Sequence, residues 1–337
     1  MKMKKTCLLV ISLCFLALFQ VNAASDIPTR TEKKSFPGIS EVRFEHSYGN
    51  MVVNESDVKQ VELEIRYFDG KKYKSTCELS NTGAVLSVKT VNPSNRGNDN
   101  CRIDYIISVP RKTNLTVDLK YGNIKMSDFS GNFKAQLAYS DLKAGTLSCP
   151  NPVISCKYGD IGLDKAENLN INTKYSDVKI ENLKTLKVDN QYSAYRIGQV
   201  GTIHEGSATA YGDFKIDLAS DVNLKLQYSD LTVATLGKSL KTDCAYSDVI
   251  VQTTSKQLEN INIQGSFSDV ALSLDPDLSA NLDIRLQYGD FDIASKYNAK
   301  FTVSEKSNNR LTKKGTIGER PTANIVISDT YANVKIK

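Results

Sequence analysis

The chain has 337 residues, with 43 Lys and Arg against 38 Asp and Glu, a formal net charge of +5, no Trp and 8% aromatic residues. The first 23 residues hold three lysines and no acid, so without them the net charge falls to +2, a balance that argues against nucleic acid as the main partner. Nineteen Gly and eight Pro are too ordinary a count for a disordered stalk, and the remaining stretch of about 314 residues is long enough to bury a large aliphatic core.

The chain opens with the basic run Met1-Lys2-Met3-Lys4-Lys5, continues through 13 apolar residues from Cys7 to Phe19 and reaches small residues at Ala23 and Ala24. This predicts a signal peptide over residues 1–23 and export to the periplasm or cell surface. The apolar run falls short of the roughly 18 residues needed to cross a bilayer, and no later segment comes closer, so the mature chain is not expected to span a membrane. A lipid anchor would need small residues just before a cysteine, whereas Leu13 precedes Cys14 and Thr6 precedes Cys7.

Residues 24–112 read as a β-rich N-terminal module with long alternating runs, such as Val61, Leu63, Ile65, Tyr67 and Ile103, Tyr105, Ile107, Val109. The polar stretch 92–100 is a predicted loop. Beyond the leader lie five cysteines: Cys77, Cys101, Cys149, Cys156 and Cys244. Export permits disulfides, but an odd count leaves at least one thiol free. Cys77 and Cys101 flank an apparent strand-turn-strand segment containing Val85, Leu86, Val88 and Val91, which makes them the favoured pair; two buried free thiols are the alternative.

Residues 113–300 carry a repeat. A Tyr-(Ser/Gly)-(Asp/Asn) tripeptide begins at Tyr121, Tyr139, Tyr158, Tyr175, Tyr211, Tyr228, Tyr246 and Tyr288, with the variants Tyr192-Ser193-Ala194 and Phe267-Ser268-Asp269 filling the gaps. From Tyr121 to Tyr288 the aromatic positions are separated by 18, 19, 17, 17, 19, 17, 18, 21 and 21 residues, the scale of one solenoid rung. Outlying copies stand at Tyr48-Gly49-Asn50 and Tyr331-Ala332-Asn333.

Apolar residues alternate with polar ones before each tripeptide, as in Val222, Leu224, Leu226, Tyr228, and again after it, as in Leu231 and Val233. The inward set therefore changes phase across the tripeptide. A flat strand cannot do this, so the chain must bend there at a corner or bulge, for which Gly, Asn and Asp are suited by their tolerance of left-handed backbone angles. The predicted fold is all-β: a single-stranded parallel β-helix, a β-solenoid, wound right-handed with rungs of about 18 residues stacked about 4.8 Å apart. Cys156 and Cys244 hold equivalent places five rungs apart, roughly 24 Å against the roughly 7 Å a disulfide can reach, so they cannot pair. Residues 301–337 read as capping strands that close the chain.

The segment Ile106-Ile107-Ser108-Val109-Pro110, followed by Asn114-Leu115-Thr116-Val117 and repeated Gly-Asp or Ser-Asp corners, resembles the adhesin-type domains, including the head GIN type, of exported bacterial proteins. Gly315, Gly318 and the ending Tyr331-Ala332-Asn333-Val334-Lys335-Ile336 are similar too. The resemblance covers most of residues 36–337 and implies a β-helical fold with a surface or periplasmic role. Tyr at nearly every corner departs from the usual pattern.

Two columns of residues carry whatever chemistry the repeat holds. Asp141, Asp160, Asp177, Asp213, Asp230, Asp248, Asp269 and Asp290 line one edge. Calcium would need six to eight oxygens around one ion, and the glycine-dense repeat of calcium-binding β-rolls is absent, so a corner role is expected, with Lys125, Lys143, Lys179, Arg196, Lys215 and Lys335 screening the acids. The aromatic column shares its parity with Leu119 and Leu226, which predicts an internal ladder filling the corner; a flat stacking surface for sugar rings is the alternative. His46 and His204 are the only histidines and are expected on the surface, leaving histidine-centred catalysis little to draw on. No metal, cofactor or catalytic residues are assigned. The expected function is a non-enzymatic β-solenoid of the cell envelope that binds a glycan or an envelope protein, or serves as a structural module; the alternative is a carbohydrate-active β-helix enzyme, a polysaccharide lyase or hydrolase.

Overall fold

A computed structural model describes residues 27–94 and 99–337; the predicted signal peptide and part of the 92–100 loop lie outside them. The described residues form 26 strands and one short 3-10 turn, Ser295–Tyr297, and all the strands join one hydrogen-bonded sheet. The chain is a β-solenoid. Phe133–Ala138 lies parallel on Asn114–Lys120 with Phe133 opposite Leu115, and Ile171 lies opposite Ile154, Val178 opposite Ile161 and Leu231 opposite Phe214, so each turn returns after 17 to 19 residues in this stretch. In the middle of the stack, long strands such as Ile161–Lys174, Asp177–Gln191 and Ala194–Ala210 run side by side almost from one corner to the next.

The two ends are joined to the stack differently from the sequence-based expectation. Glu41–Ser47 pairs in parallel with Asn114–Lys120, and Met51–Ser56 with Ile124–Met126, so the Tyr48 corner belongs to a rung continuous with the repeat, with no break at residue 112. At the far end, Ala323–Thr330 lies between Asn260–Ser266 and Ala280–Gln287, parallel to both. The last strands thus fill a rung inside the stack. The outermost layer is the antiparallel hairpin of Lys300–Ser307 and Arg310–Ile317, laid on Ala280–Gln287.

Alternating side chains point inward along each rung and meet their counterparts in columns. Ile124, Leu142, Ile161, Val178, Tyr195, Phe214, Leu231 and Val249 form one such column, all buried. Each fully buried aliphatic side chain contributes about 1.5–3 kcal/mol, so dozens of them outweigh the polar interruptions. One interruption is a network no alternation pattern signals: Thr173 Oγ1 is hydrogen-bonded to Asn190 Oδ1 (3.0 Å) and to the buried Tyr195 hydroxyl (2.7 Å), and Asn190 Nδ2 donates to Thr209 Oγ1 (2.7 Å) and to the Ser193 carbonyl (2.7 Å).

The expected disulfide is absent: all five cysteines in the described residues are free. Cys77 lies opposite Thr90 in the Thr76–Thr82/Val85–Val91 hairpin with its thiol near the Tyr105 hydroxyl, whereas Cys101 is buried beside Ser75 Oγ at 3.6 Å. Cys101 thus packs against Ser75, two residues before Cys77 along the chain, and the two thiols keep separate neighbours. Cys156 and Cys244 fill inward positions, where burial pushes their thiols up to about 11 and about 12. His46 is buried too, against the surface expectation; its Nδ1 meets Thr90 Oγ1 at 2.8 Å and burial lowers its pKa to about 4.

One buried acid stands in the column that holds Leu226 and Cys244. Asp329 is 4% exposed, packs over Gly265, where any side chain would collide with it, and neither carboxylate oxygen has a hydrogen-bond partner. Burial pushes its pKa from 3.8 to about 7, against the opposing pull of the nearby Thr330 backbone amide and with Asp269 adding to the rise. The folded state therefore holds a proton that the unfolded chain releases near pH 4, so this residue's contribution is intact below about pH 4, declines as pH rises towards 7 and is flat beyond. The loss across that window should be roughly 3–5 kcal/mol for a shift of this size. Denaturant titrations at pH 4.5 and pH 7.5 should show Asp329→Asn losing less stability across the window than the parent; equal losses would contradict the assignment.

Candidate functional site

The corner tripeptide divides its work among three residues. The aromatic takes the left-handed backbone conformation: all twelve, from Tyr48 to Tyr331, have positive φ, between 50° at Tyr228 and 62° at Tyr331. A single left-handed residue rotates the chain so that its side chain leaves the inward face, and the next residue takes that place. The corner serines are accordingly buried, Ser140, Ser176, Ser193, Ser229, Ser247 and Ser268 all at 4% exposure or less.

Each of these serines joins rungs. Ser229 Oγ donates to the Gln227 carbonyl (2.9 Å) and accepts from the Gly212 amide one rung back (3.0 Å); Ser247 repeats this with Ala245 (2.8 Å) and the Ser229 amide (2.9 Å). Where glycine replaces serine the backbone leaves no room for a side chain. A methyl group on Gly122 would collide with the Gly49 carbonyl oxygen, and one on Gly289 with that of Ala332. The third residue faces outward, and at six of the eight aspartate corners its carboxylate accepts the backbone amide of the same residue in the following rung. Asp141 takes the Asp160 amide at 2.9 Å, Asp160 that of Asp177 at 3.2 Å, Asp213 that of Asp230 at 3.3 Å and Asp230 that of Asp248 at 2.9 Å; Asp248 takes that of Asp269 at 3.0 Å, and Asp269 that of Asn333 at 2.7 Å. Asp290 instead meets Lys306 Nζ at 2.9 Å.

Screening by the neighbouring bases is not how these acids are satisfied. Lys125 lies opposite Lys143, Arg196 opposite Lys179 and Lys215, so the cations form a column of their own, and Lys179 pairs at 2.7 Å with Glu181 instead of a corner Asp. Gly162 interrupts that column between Lys143 and Lys179 and forms part of the floor of an open groove of about 720 Å³, bordered by Asp141, Asp160 and Asp164. Among the described residues, no group of three or more His, Cys, Asp or Glu is placed to hold a metal ion.

The aromatic ladder exists, but outside the core. Its rings run in the order Tyr48, Tyr121, Tyr139, Tyr158, Tyr175, Tyr192, Tyr211, Tyr228, Tyr246, Phe267, Tyr331, Tyr288, with successive centroids 4.6–5.1 Å apart and planes within 9° of parallel. Exposure ranges from 36% at Tyr48 to 51% at Tyr139. The inward prediction fails because parity with Leu119 holds only while the pleat is continuous, and the left-handed residue breaks the pleat at the ring itself. Sequence could have shown this: Ser occupies a position that ought to be outward and apolar residues resume two places later.

A match to a family model spans residues 39–335, nearly all of the described repeat, and its description is Toastrack DUF4097. The chain belongs to the Toastrack DUF4097 family. No curated protein matches it. Among solved structures, the Toastrack chain is similar to a putative adhesin from Parabacteroides merdae (14% identity over 72% of this chain and 94% of that one, TM-score 0.34) and to a putative adhesin from Bacteroides fragilis (11%, 92% and 99%, TM-score 0.31). It is similar as well to a putative lipid binding protein from Parabacteroides distasonis (13%, 72% and 95%, TM-score 0.40). No helix among the described residues is long and apolar enough to cross a membrane.

A half-exposed ring stacked on both faces gives a specific mutational pattern. Tyr175→Ala removes two stacking contacts worth about 0.5–1.5 kcal/mol each and keeps a Cβ at φ 55°, so it should cost about 2 kcal/mol. Tyr175→Gly loses the same contacts but relieves the left-handed strain, and should be about 1 kcal/mol more stable than the Ala variant. Denaturant midpoints of the two measure this; an Ala cost near 4–5 kcal/mol, or a Gly variant below Ala, would return the rings to the core.

Proposed function

We propose that this Toastrack chain is an exported, non-enzymatic binding module of the cell envelope, an adhesin-like protein whose contact surface is the outer edge of the aromatic ladder. The observation that carries this reading is the choice of residue. Glycine or asparagine is the least strained occupant of a left-handed corner, yet an aromatic stands at all twelve, each residue 36–51% exposed. Stacking explains part of that choice; a contiguous exposed aromatic strip of this length is the kind of patch that marks interaction surfaces. The partner class is a glycan or an envelope protein. Kinship to the head GIN type and a right-handed winding, the usual hand for parallel crossover connections, belong to the same reading.

The distribution of acids supports binding over catalysis. Eight of the twelve corners carry an Asp, and six of these eight place one oxygen on a neighbouring backbone amide, a structural use of the carboxylates. A glycan array probed with the protein should show ligands for the parent and loss of binding for Tyr175→Gly/Tyr211→Gly with an unchanged circular dichroism spectrum. Release of reducing ends from a bound polysaccharide would replace this reading with an enzymatic one.

A corner held by amide-to-carboxylate hydrogen bonds does not depend on a cation. Chelator should therefore move the melting temperature by no more than a degree or two, whereas a fall of ten degrees, about a kcal/mol or more of linkage, would restore a calcium role for the Asp column.

A further inference from the structure

We propose that the ladder is also the contact between two copies of this chain, lying side by side with their axes parallel. The inference rests on the reading of the ladder as a contact surface and names its partner. Both faces of every ring between the ends of the ladder are covered by the rings above and below, so a flat ligand cannot stack on them; what remains is a row of ring edges repeating every 4.6–5.1 Å. A second copy carries a row of the same period. With adjacent planes within 9° of parallel, two such rows can run along each other ring against ring. Twelve rings about half exposed offer on the order of 1,000 Å² per copy, above the roughly 800 Å² of a standard interface.

Charge sets the direction. On one side of the ladder, two residues after each ring, eight of the twelve positions are Asp; on the other side, one residue before each ring, three are Lys and nine are neutral. Antiparallel copies would set the Asp row of one against the Asp row of the other. A two-fold axis parallel to the ladder instead sets each Asp row against the acid-free row that immediately precedes the rings, rung for rung, bringing Lys157 to Asp160 and Lys174 to Asp177 of the second copy. Because the arrangement is isologous, every such pair occurs twice.

Ala210 and Ala245 belong to the row that immediately precedes the rings, each the last residue of its strand, and in the parallel pair they face Asp213 and Asp248 of the second copy. Sedimentation equilibrium of the protein lacking residues 1–23 should show a dimer. Ala210→Glu/Ala245→Glu, which creates four like-charge contacts, should raise its dissociation constant about a hundredfold, and Ala210→Lys/Ala245→Lys should lower it about fivefold, with circular dichroism unchanged in both. A monomer at all concentrations up to about 100 µM overturns the proposal, as does a Lys variant weakened as much as the Glu variant. A monomer that still loses glycan binding in Tyr175→Gly/Tyr211→Gly overturns the pairing and leaves the ladder's binding role standing.

Discussion

One backbone constraint governs the rest: at every corner a single residue must adopt left-handed angles. That conformation turns the strand while keeping aliphatic side chains inward on both sides of the bend, and it reverses the facing of the corner residue and its successor. Ring outside, serine inside and carboxylate outside all follow from it. The strain of placing a Cβ there is of order 1 kcal/mol per rung, and the stacking of each ring on two neighbours is of similar size. The ladder thus offsets locally what the corner costs, which explains how a strained conformation can be repeated twelve times.

Hydrogen bonding makes the corner cooperative along the stack. A serine hydroxyl inside and an aspartate carboxylate outside each tie one rung's backbone amides to the next, so a polar group that would otherwise be orphaned at a bend is satisfied by its neighbour. No rung can be completed alone. Stability is then a sum over rung interfaces, and the Lys300–Ser307/Arg310–Ile317 hairpin covers the last of these with an antiparallel layer that a further parallel rung could not extend.

The repeat and its pitch were legible in the sequence because they rest on spacing alone, and the all-β class followed from alternation. The facing of Tyr121 through Tyr288 was not, since parity counting assumes one continuous pleat and the tripeptide is where the pleat ends. Local pattern also could not show that Ala323–Thr330 inserts between two earlier strands, because nothing in its alternation distinguishes an inner rung from a cap. The Cys77–Cys101 expectation failed because flanking a hairpin in sequence does not by itself direct two thiols at each other: Cys77 lies opposite Thr90, and Cys101 meets Ser75. His46 and Asp329 were hidden because polar residues at inward positions look like outward ones unless register is already known.

Function on this scaffold is therefore a matter of what the period presents, since few residues break it. A repeated ring, a repeated carboxylate and a cation column interrupted at Gly162 give a surface whose features recur every rung. Such a surface multiplies any weak contact whose own repeat is commensurate with it, because each added rung contributes without new ordering cost. A partner with a matching period gains over many rungs at once, and a partner without one meets mostly ring edges and carboxylates. In the proposed binding role, periodicity, which stabilises the fold through nearest neighbours, is also the property by which the outer edge would discriminate.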